Sequence, residues 1–232
     1  MVLLKTKDTT SVLNLPVDDS LTIRDRVYYY VRQLIMDGRF SPEDRIVEAQ
    51  LAKKFNISRT PVREALHGLE REGLLESIPR VGYQLRAISY KDVEEICEIR
   101  IVNETLAAKW AIQRITPELI PELEENIRIS EEKARNESPR TFVELDEKFH
   151  EIIQRASGSA RLVGYCMLLR RSMLLWRVRS IFTLETVLKA LDGHRRILDC
   201  IRKCADDEVG RAIREHLNFA KQSIKNGSFP DD

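Results

Sequence analysis

The chain has 232 residues, of which 43% are hydrophobic, 32% are charged and 6% are aromatic, with nine glycines. This composition is sufficient for a packed core, is typical of a helix-rich protein and argues against a predominantly β fold. The net charge of +1 gives no indication of a nucleic-acid partner, so the placement of the charges matters more than their sum.

Targeting and membrane segments are not predicted. The first twenty residues do not have the charged start, apolar block and cleavage site of a signal peptide. The apolar stretch 162–176 is interrupted by Arg170 and Arg171, which argues against a transmembrane helix. The four cysteines are scattered without the spacing of a disulfide framework, so we expect a cytoplasmic protein with no membrane partner.

The first part of the chain predicts a flexible polar arm, residues 1–19, followed by a winged helix-turn-helix domain, residues 20–88. Asn56 and Ile57 form the predicted turn between the second and third helices, because asparagine tolerates the left-handed conformation. The predicted elements are three helices and a two-stranded hairpin, with bounds 21–36, 48–55, 58–73, 74–78 and 83–87.

The start of the third predicted helix carries a cluster of arginines and hydroxyl residues. On a helical wheel, Arg59, Thr60 and Arg63 share one face, and the opposite face is apolar. Arginine bonds guanine bidentately in the major groove, and Ser58 or Thr60 can cap the helix or bond phosphate. The pattern therefore predicts a DNA recognition helix. The alternative is a solvated basic face, which the preceding turn and the following hairpin argue against.

From residue 90 onward every segment predicts helix, which indicates an all-α antiparallel helical bundle over residues 89–228. The domain boundary is expected near 87–89. The predicted helices span 90–114, 117–136, 140–157, 159–180, 184–204 and 207–225.

Three histidines and an aspartate fall on the apolar faces of these helices. Asp146 and His150 are four residues apart and share one helix face, and His194 and His216 lie within the apolar arcs of two other helices. A single inward histidine is usually a satisfied core residue, but a buried aspartate is costly without a partner. The set predicts one divalent metal ion per chain, with zinc or nickel preferred and iron or manganese as alternatives.

The helix predicted over 90–114 carries a second polar group on its apolar face. Arg100 and Glu104 lie within the apolar arc, and Asn103 lies at its edge. One interpretation is an internal ion pair between Arg100 and Glu104. The other is an effector site, in which Arg100 and Asn103 hold a carboxylate ligand whose other oxygen meets the metal.

Specific motifs resemble a known family. "SRTPVREAL", then "LEREGLL" and a Pro…Gly wing, resemble the DNA-binding domain of GntR-family transcription regulators. The helical remainder resembles the FadR-like branch, whose effector domain is called FCD, and the resemblance covers about residues 20–226. It implies a "D-x-x-x-H…H…H" metal site, small organic acids as effectors, and DNA contacts from Ser58, Arg59, Thr60, Arg63 and, at the wing tip, Gly82.

Two positions depart from the family pattern. Family members often carry arginine where this chain has Ala49, and the wing often reads Arg-Gly where this chain has Val81 before Gly82. Arg45 and Arg80 are the expected substitutes for the two missing DNA contacts.

The function that follows is a homodimeric transcription regulator, not an enzyme. It is expected to bind a near-palindromic operator and to respond to a small organic acid bound at the metal. One alternative is the same regulator with a purely structural metal. A second is a metal-dependent enzyme, since two histidines and a carboxylate can form an iron oxygenase site and zinc can support hydrolysis.

Overall fold

The protein divides into two compact units, residues Met1–Ala87 and Ile88–Asp232. The structure, a computed structural model, describes residues 20–36, 39–40, 44–86, 89–173 and 183–228. The expected arm at 1–19 and the expected boundary residues 87 and 88 lie outside the described residues.

The first unit is a winged helix-turn-helix. It contains α1 (Ile23–Met36), α2 (Glu48–Phe55), α3 (Arg59–Arg71), β1 (Leu75–Ile78) and β2 (Gly82–Leu85). Helix α1 packs on α3, and the apolar face of α3 predicted from the sequence is buried, with Leu66 and Leu69 fully inaccessible. The strands are antiparallel, with Leu75 opposite Leu85.

Asn56 and Gly82 are among the residues of this unit that have positive φ. Asn56 ends α2 with φ 54° and ψ 48°, and its N–H bonds to the carbonyls of the last turn, as the sequence predicts. Gly82 has φ 130°, and a Cβ at this position would lie 2.5 Å from the carbonyl oxygen of Ile46. The main chains of Ile46 and Tyr83 exchange two hydrogen bonds there, at 2.7 and 2.9 Å. The absence of a side chain at Gly82 therefore allows the wing to pair with the segment before α2.

The second unit is an all-α bundle, as predicted. Its helices are α4 (Tyr90–Gln113), α5 (Leu119–Asn136), α6 (Phe142–Ala156), α7 (Ala160–Ser172), α8 (Leu184–Arg202) and α9 (Asp206–Ser228), with a short 3₁₀ turn at Pro139–Thr141. The helix predicted over 159–180 is described as far as Ser172, and residues 174–182 lie outside the description. Among the described helices, none is both long and apolar enough to cross a bilayer.

Packing in the bundle brings α6, α8 and α9 around a shared interior. Helix α4 packs against α6, α7 and α9, and α9 also packs against α8. Capping fixes where two of these helices begin: Ser89 forms a capping box with Asp92 at α4, and Thr183 forms one with Thr186 at α8. Both helices therefore begin at defined residues.

Candidate functional site

Four polar side chains predicted from the sequence meet in the interior of the helical unit. Helix α6 supplies Asp146 and His150 from one face, α8 supplies His194 and α9 supplies His216. All four are buried, and His194 is completely inaccessible. One ligand atom from each residue lies within 4.8 Å of the ligand atoms of the other three.

The distances fit a single divalent ion. The Nε2 atoms of His150 and His216 are 3.2 Å apart, and Nε2 of His194 is 3.2 Å from Oδ1 of Asp146. The Nε2 atoms of His150 and His216 each lie 3.9 Å from the same Oδ1. Ligands about 2.1 Å from a metal lie roughly 3–3.5 Å from one another, so a small contraction brings these atoms to coordination distance. The donor set of three imidazoles and one carboxylate suits zinc, nickel, iron or manganese.

His150 and His216 are held in the neutral form that metal binding requires. Burial lowers the pKa of His150 to about 4, although the neighbouring Glu104 acts in the opposite direction. Burial and the nearby His194 and His150 hold the pKa of His216 well below its usual value. At neutral pH these rings therefore present lone pairs and need not lose a proton first.

Glu104 on α4 orients His150. Its Oε2 lies 2.7 Å from Nδ1 of His150, so Nε2 of that ring is left facing the cluster. Burial alone would raise the pKa of Glu104, but Arg100 and His150 outweigh it and hold the pKa well below its usual range. A carboxylate in this position fixes the tautomer and orientation of a metal-binding histidine. From the sequence we predicted Glu104 as a partner of Arg100 and missed its contact with His150.

The two predicted effector residues have different surroundings. Arg100 is buried, and its Nε donates to Oε1 of Glu104 at 2.8 Å, which is the internal pair given above as the alternative. Its Nη1 lies 3.6 Å from the thioether sulfur of Met173, a weak acceptor. Asn103 is partly exposed on the same helix.

Arg170 on α7 is a buried charge beside the cluster that the sequence analysis missed. Its Nη2 donates to Oδ2 of Asp146 at 3.1 Å, and its Nη1 lies 4.0 Å from Oε1 of Glu104. In the sequence Arg170 attracts attention only as a charge that interrupts an apolar stretch. That interruption was the available signal, because an arginine on a buried helix face needs an internal carboxylate.

The predicted DNA-binding residues lie on the surface of the first unit. Ser58 is the N-cap residue of α3, and Arg59, Thr60 and Arg63 are exposed in its first turns. Arg63 is engaged with α2: its Nε and Nη2 donate to the carboxylate of Glu48 at 3.1 and 3.0 Å.

The remaining predicted DNA contacts flank this helix. Arg45 is exposed before α2, and Arg80 is exposed in the turn between the strands with φ 66°. Gly82 begins β2 and has the packing role against Ile46 described above.

Comparisons with known proteins agree with this architecture. Residues 23–85 match the family of bacterial regulatory proteins named gntR, and residues 95–219 match the FCD domain. The HTH-type transcriptional regulator YdhC of Bacillus subtilis (strain 168) is 31% identical over 210 residues, which cover 86% of this chain and 89% of that protein. The HTH-type transcriptional repressor RspR of Escherichia coli (strain K12) is 26% identical and covers 88% of this chain and 89% of its own length.

A solved structure shares the fold. McbR/YncC of Escherichia coli superposes with a TM-score of 0.74 at 18% identity, covering 89% of this chain and 98% of its own. The relatives are named as transcription regulators and not as enzymes, in agreement with the prediction. The chain therefore belongs to the GntR family of bacterial regulatory proteins, as a DNA-binding transcription regulator with an FCD domain.

Proposed function

We propose that this regulator binds one divalent metal ion per chain through Asp146, His150, His194 and His216, and that a small carboxylate bound at the metal modulates its affinity for operator DNA. The observation that carries the proposal is the convergence of four buried ligand atoms within 4.8 Å. Zinc or nickel is the preferred ion, with iron or manganese as alternatives. When bound, the ion supplies a positive centre at which an anion can complete the coordination.

Charge balance supports an anionic effector. The buried charged side chains of the described residues are two arginines, Arg100 and Arg170, and two carboxylates, Glu104 and Asp146. With the histidines neutral, these charges cancel, so a divalent ion adds two positive charges in a buried place. An excess of buried charge is costly unless a counter-charge accompanies it. A carboxylate ligand supplies one negative charge towards that counter-charge.

Arg100 is our proposed carboxylate partner, assisted by Asn103. The contact of its Nη1 with the sulfur of Met173 is weak and can be exchanged for a carboxylate oxygen, while Nε keeps its bond to Glu104. The effector would act by favouring one of two arrangements of the protein that bind operator with different affinity.

The proposed domains correspond to the two compact units of the fold. We propose that residues 20–88 form the DNA-binding domain after an arm at 1–19, and that 89–228 form the metal-binding, effector-binding and dimerisation domain of a cytoplasmic protein. On DNA, we propose base and phosphate contacts from the start of α3, with further contacts from the flanking positions. The contact residues are Ser58, Arg59, Thr60, Arg63, Arg45, Arg80 and Gly82.

A homodimer is part of the proposal. One recognition helix contacts too few base pairs to select an operator, and a two-fold dimer reads a near-palindromic site. An apolar stripe on α4, formed by Ile99, Val102 and Leu106, is 38–66% exposed, and Tyr165 and Leu168 on α7 are also exposed. This supports a second copy of the chain as the partner of the α4 and α7 faces. The other side of the predicted stretch 162–176, with Leu162 and Cys166, is buried inside the bundle.

The test compares metal-loaded and metal-free full-length protein. An operator is first selected from random-sequence DNA, and its affinity is then measured while a panel of small carboxylates is titrated. We expect a carboxylate to change operator affinity only when the metal is present. A response that is equal without metal would leave the ion with a structural role, and absence of bound metal in the wild type would reject the site.

Arg100→Lys sharpens the assignment of the effector residue. Lysine keeps a positive charge beside Glu104 but loses the forked geometry that binds a carboxylate bidentately. We expect metal content to be retained and the effector concentration for half response to rise. An unchanged effector response would exclude Arg100 as the carboxylate partner.

A further inference from the structure

The three imidazoles of the cluster are positioned in three different ways. His150 is held by the carboxylate of Glu104 at 2.7 Å. His194 is stacked on the ring of Phe149, with centroids 3.9 Å apart and planes inclined by 11°. His216 lies against the backbone of another helix, and its Nδ1 is buried without a hydrogen-bond partner among the described residues.

The feature nearest to the His216 ring is the backbone of α8 at Gly193. A Cβ built on Gly193 would lie 2.6 Å from Nδ1, 3.2 Å from Cγ and 3.3 Å from Cβ of His216. A carbon does not approach a ring nitrogen to 2.6 Å without a shift. Any side chain larger than hydrogen at position 193 would therefore push against this imidazole.

Gly193 has no conformational reason to be glycine. It lies inside α8 with ordinary helical backbone, and glycine within a helix is less favourable than alanine by about 0.5–1 kcal/mol. The effect of glycine at this position is therefore the space that it leaves for the ring of His216.

The orientation of the ring shows what the space is used for. Nε2 of His216 faces the cluster, 3.2 Å from Nε2 of His150, and Nδ1 lies on the side of Gly193. A cleft of about 200 Å³ between α8 and α9, lined by Gly193, Ala212 and His216, opens on that side. The imidazole therefore lies against α8 with Nε2 towards the other ligands.

We propose that Gly193 is a positioning residue of the metal centre, because the missing side chain lets the imidazole of His216 lie against α8 with Nε2 facing the other ligands. The inference rests on the metal binding proposed above. It adds that α8 contributes twice to the site, through the ligand His194 and through the space left by the preceding residue.

The first experiment separates metal binding from folding. Metal-free full-length Gly193→Ala is titrated with Zn²⁺ in competition with a chelator, beside the wild type and Gly164→Ala. Gly164 on α7 is the matched control, since a Cβ there meets nothing within 4 Å. We expect roughly 10–100-fold weaker zinc binding for Gly193→Ala and no change for Gly164→Ala. The thermal midpoint of metal-free Gly193→Ala should equal or exceed that of wild type, because the unliganded ring can turn aside and alanine favours the helix.

A double-mutant cycle then tests whether the effect passes through His216. In a His216→Ala background, Gly193→Ala should cause no further loss of zinc affinity. The visible absorption of the Co²⁺ form should change in Gly193→Ala towards that of His216→Ala, as expected for loss of the same ligand.

The outcomes distinguish the two proposals. Wild type that binds no zinc rejects the metal site itself. Wild type and Gly193→Ala that bind zinc equally overturn the role of Gly193 and leave the site standing. A loss of affinity that persists unchanged in the His216→Ala background also overturns it, since alanine would then act elsewhere.

Discussion

The polar residues inside the helical unit and those at the start of α3 are organised in opposite ways. Asp146, His150, His194 and His216 are buried and face one another, so the fold itself defines their arrangement. Arg59 and Thr60 are exposed at the start of α3, so burial does not define how their side chains are arranged. Burial of polar groups without a ligand is costly, so a buried polar cluster by itself indicates that something binds there. The role of exposed polar residues can be assigned only from the partner that they bind.

The largest effect is expected from replacing His194 and His216 together by alanine. The variant loses two of four ligands, so tight metal binding should be abolished. With free metal at about 100 times Kd, binding stabilises a protein by about 2.7 kcal/mol, and this metal-dependent increase in stability should disappear. Elemental analysis and melting curves with and without Zn²⁺ provide the measurement. His67→Ala, at an exposed histidine on α3, is the control; full metal content in the double variant would reject the site.

The same contrast explains how much could be predicted from the sequence. Asp146 and His150 are four residues apart on one helix, and His194 and His216 interrupt apolar arcs, so local periodicity was sufficient to find all four. The contact of Glu104 with His150 and that of Arg170 with Asp146 join different helices. Periodicity within one helix cannot predict such contacts, which depend on how the helices pack.

The surface of α3 shows a different limit. Its helical span and its exposed face follow from Pro61 and the apolar positions, but the pairing of Arg63 with Glu48 joins residues 15 positions apart on two helices. The role of Gly193 could not be predicted from the sequence, because it depends on the space between this residue and the ring of His216 on another helix.

The second largest effect is expected on DNA binding. Arg59→Ala and Arg63→Ala should each weaken operator binding about 10- to 100-fold, because a bidentate contact to a base is lost, and should leave folding intact because both side chains are exposed. Binding isotherms at fixed salt, on operator and on scrambled DNA, give the measurement. Arg71→Ala, in the last turn of the same helix, should bind operator nearly as wild type does. Normal binding by both Arg59→Ala and Arg63→Ala would show that α3 is not the recognition helix.

An intermediate effect is expected when metal-free protein is acidified. Histidine in an unfolded chain has a pKa near 6.5, whereas burial lowers the pKa of His150 to about 4. Between these values the unfolded chain binds protons that the folded protein does not, so stability should fall as pH drops from about 6.5 to about 4 and should be unaffected by this group above 6.5.

Urea unfolding of the metal-free protein across that window measures the effect. The slope of stability against pH should be smaller in His150→Gln, which keeps a polar side chain of similar length. Glu104, with its lowered pKa, contributes stability that is lost only at pH values below the usual range of a glutamate, so its effect falls in a separate window. Equal slopes for wild type and His150→Gln would contradict the burial of a neutral imidazole.

The smallest effect is expected from Glu48→Gln. This substitution tests whether the side chains at the start of α3 are held in place before DNA binds. The carboxylate of Glu48 accepts hydrogen bonds from Nε and Nη2 of Arg63, whose side chain is 58% exposed, whereas that of Glu48 is 21% exposed. Such pairs contribute little to stability, so the fold should be unaffected. The bonds nevertheless hold the guanidinium in one orientation before DNA arrives, while the carboxylate repels phosphate.

Glutamine removes the repulsion and keeps a single carbonyl acceptor in place of two carboxylate oxygens. We therefore expect affinity for scrambled DNA to rise slightly and the ratio of operator to scrambled affinity to fall by less than about fivefold, well below the loss in Arg63→Ala. In an Arg63→Ala background the ratio should not change further, because the orienting role needs its arginine. A ratio that rises in Glu48→Gln would mean that Glu48 competes with DNA for Arg63, and that the surface of α3 is organised against binding until a partner releases it.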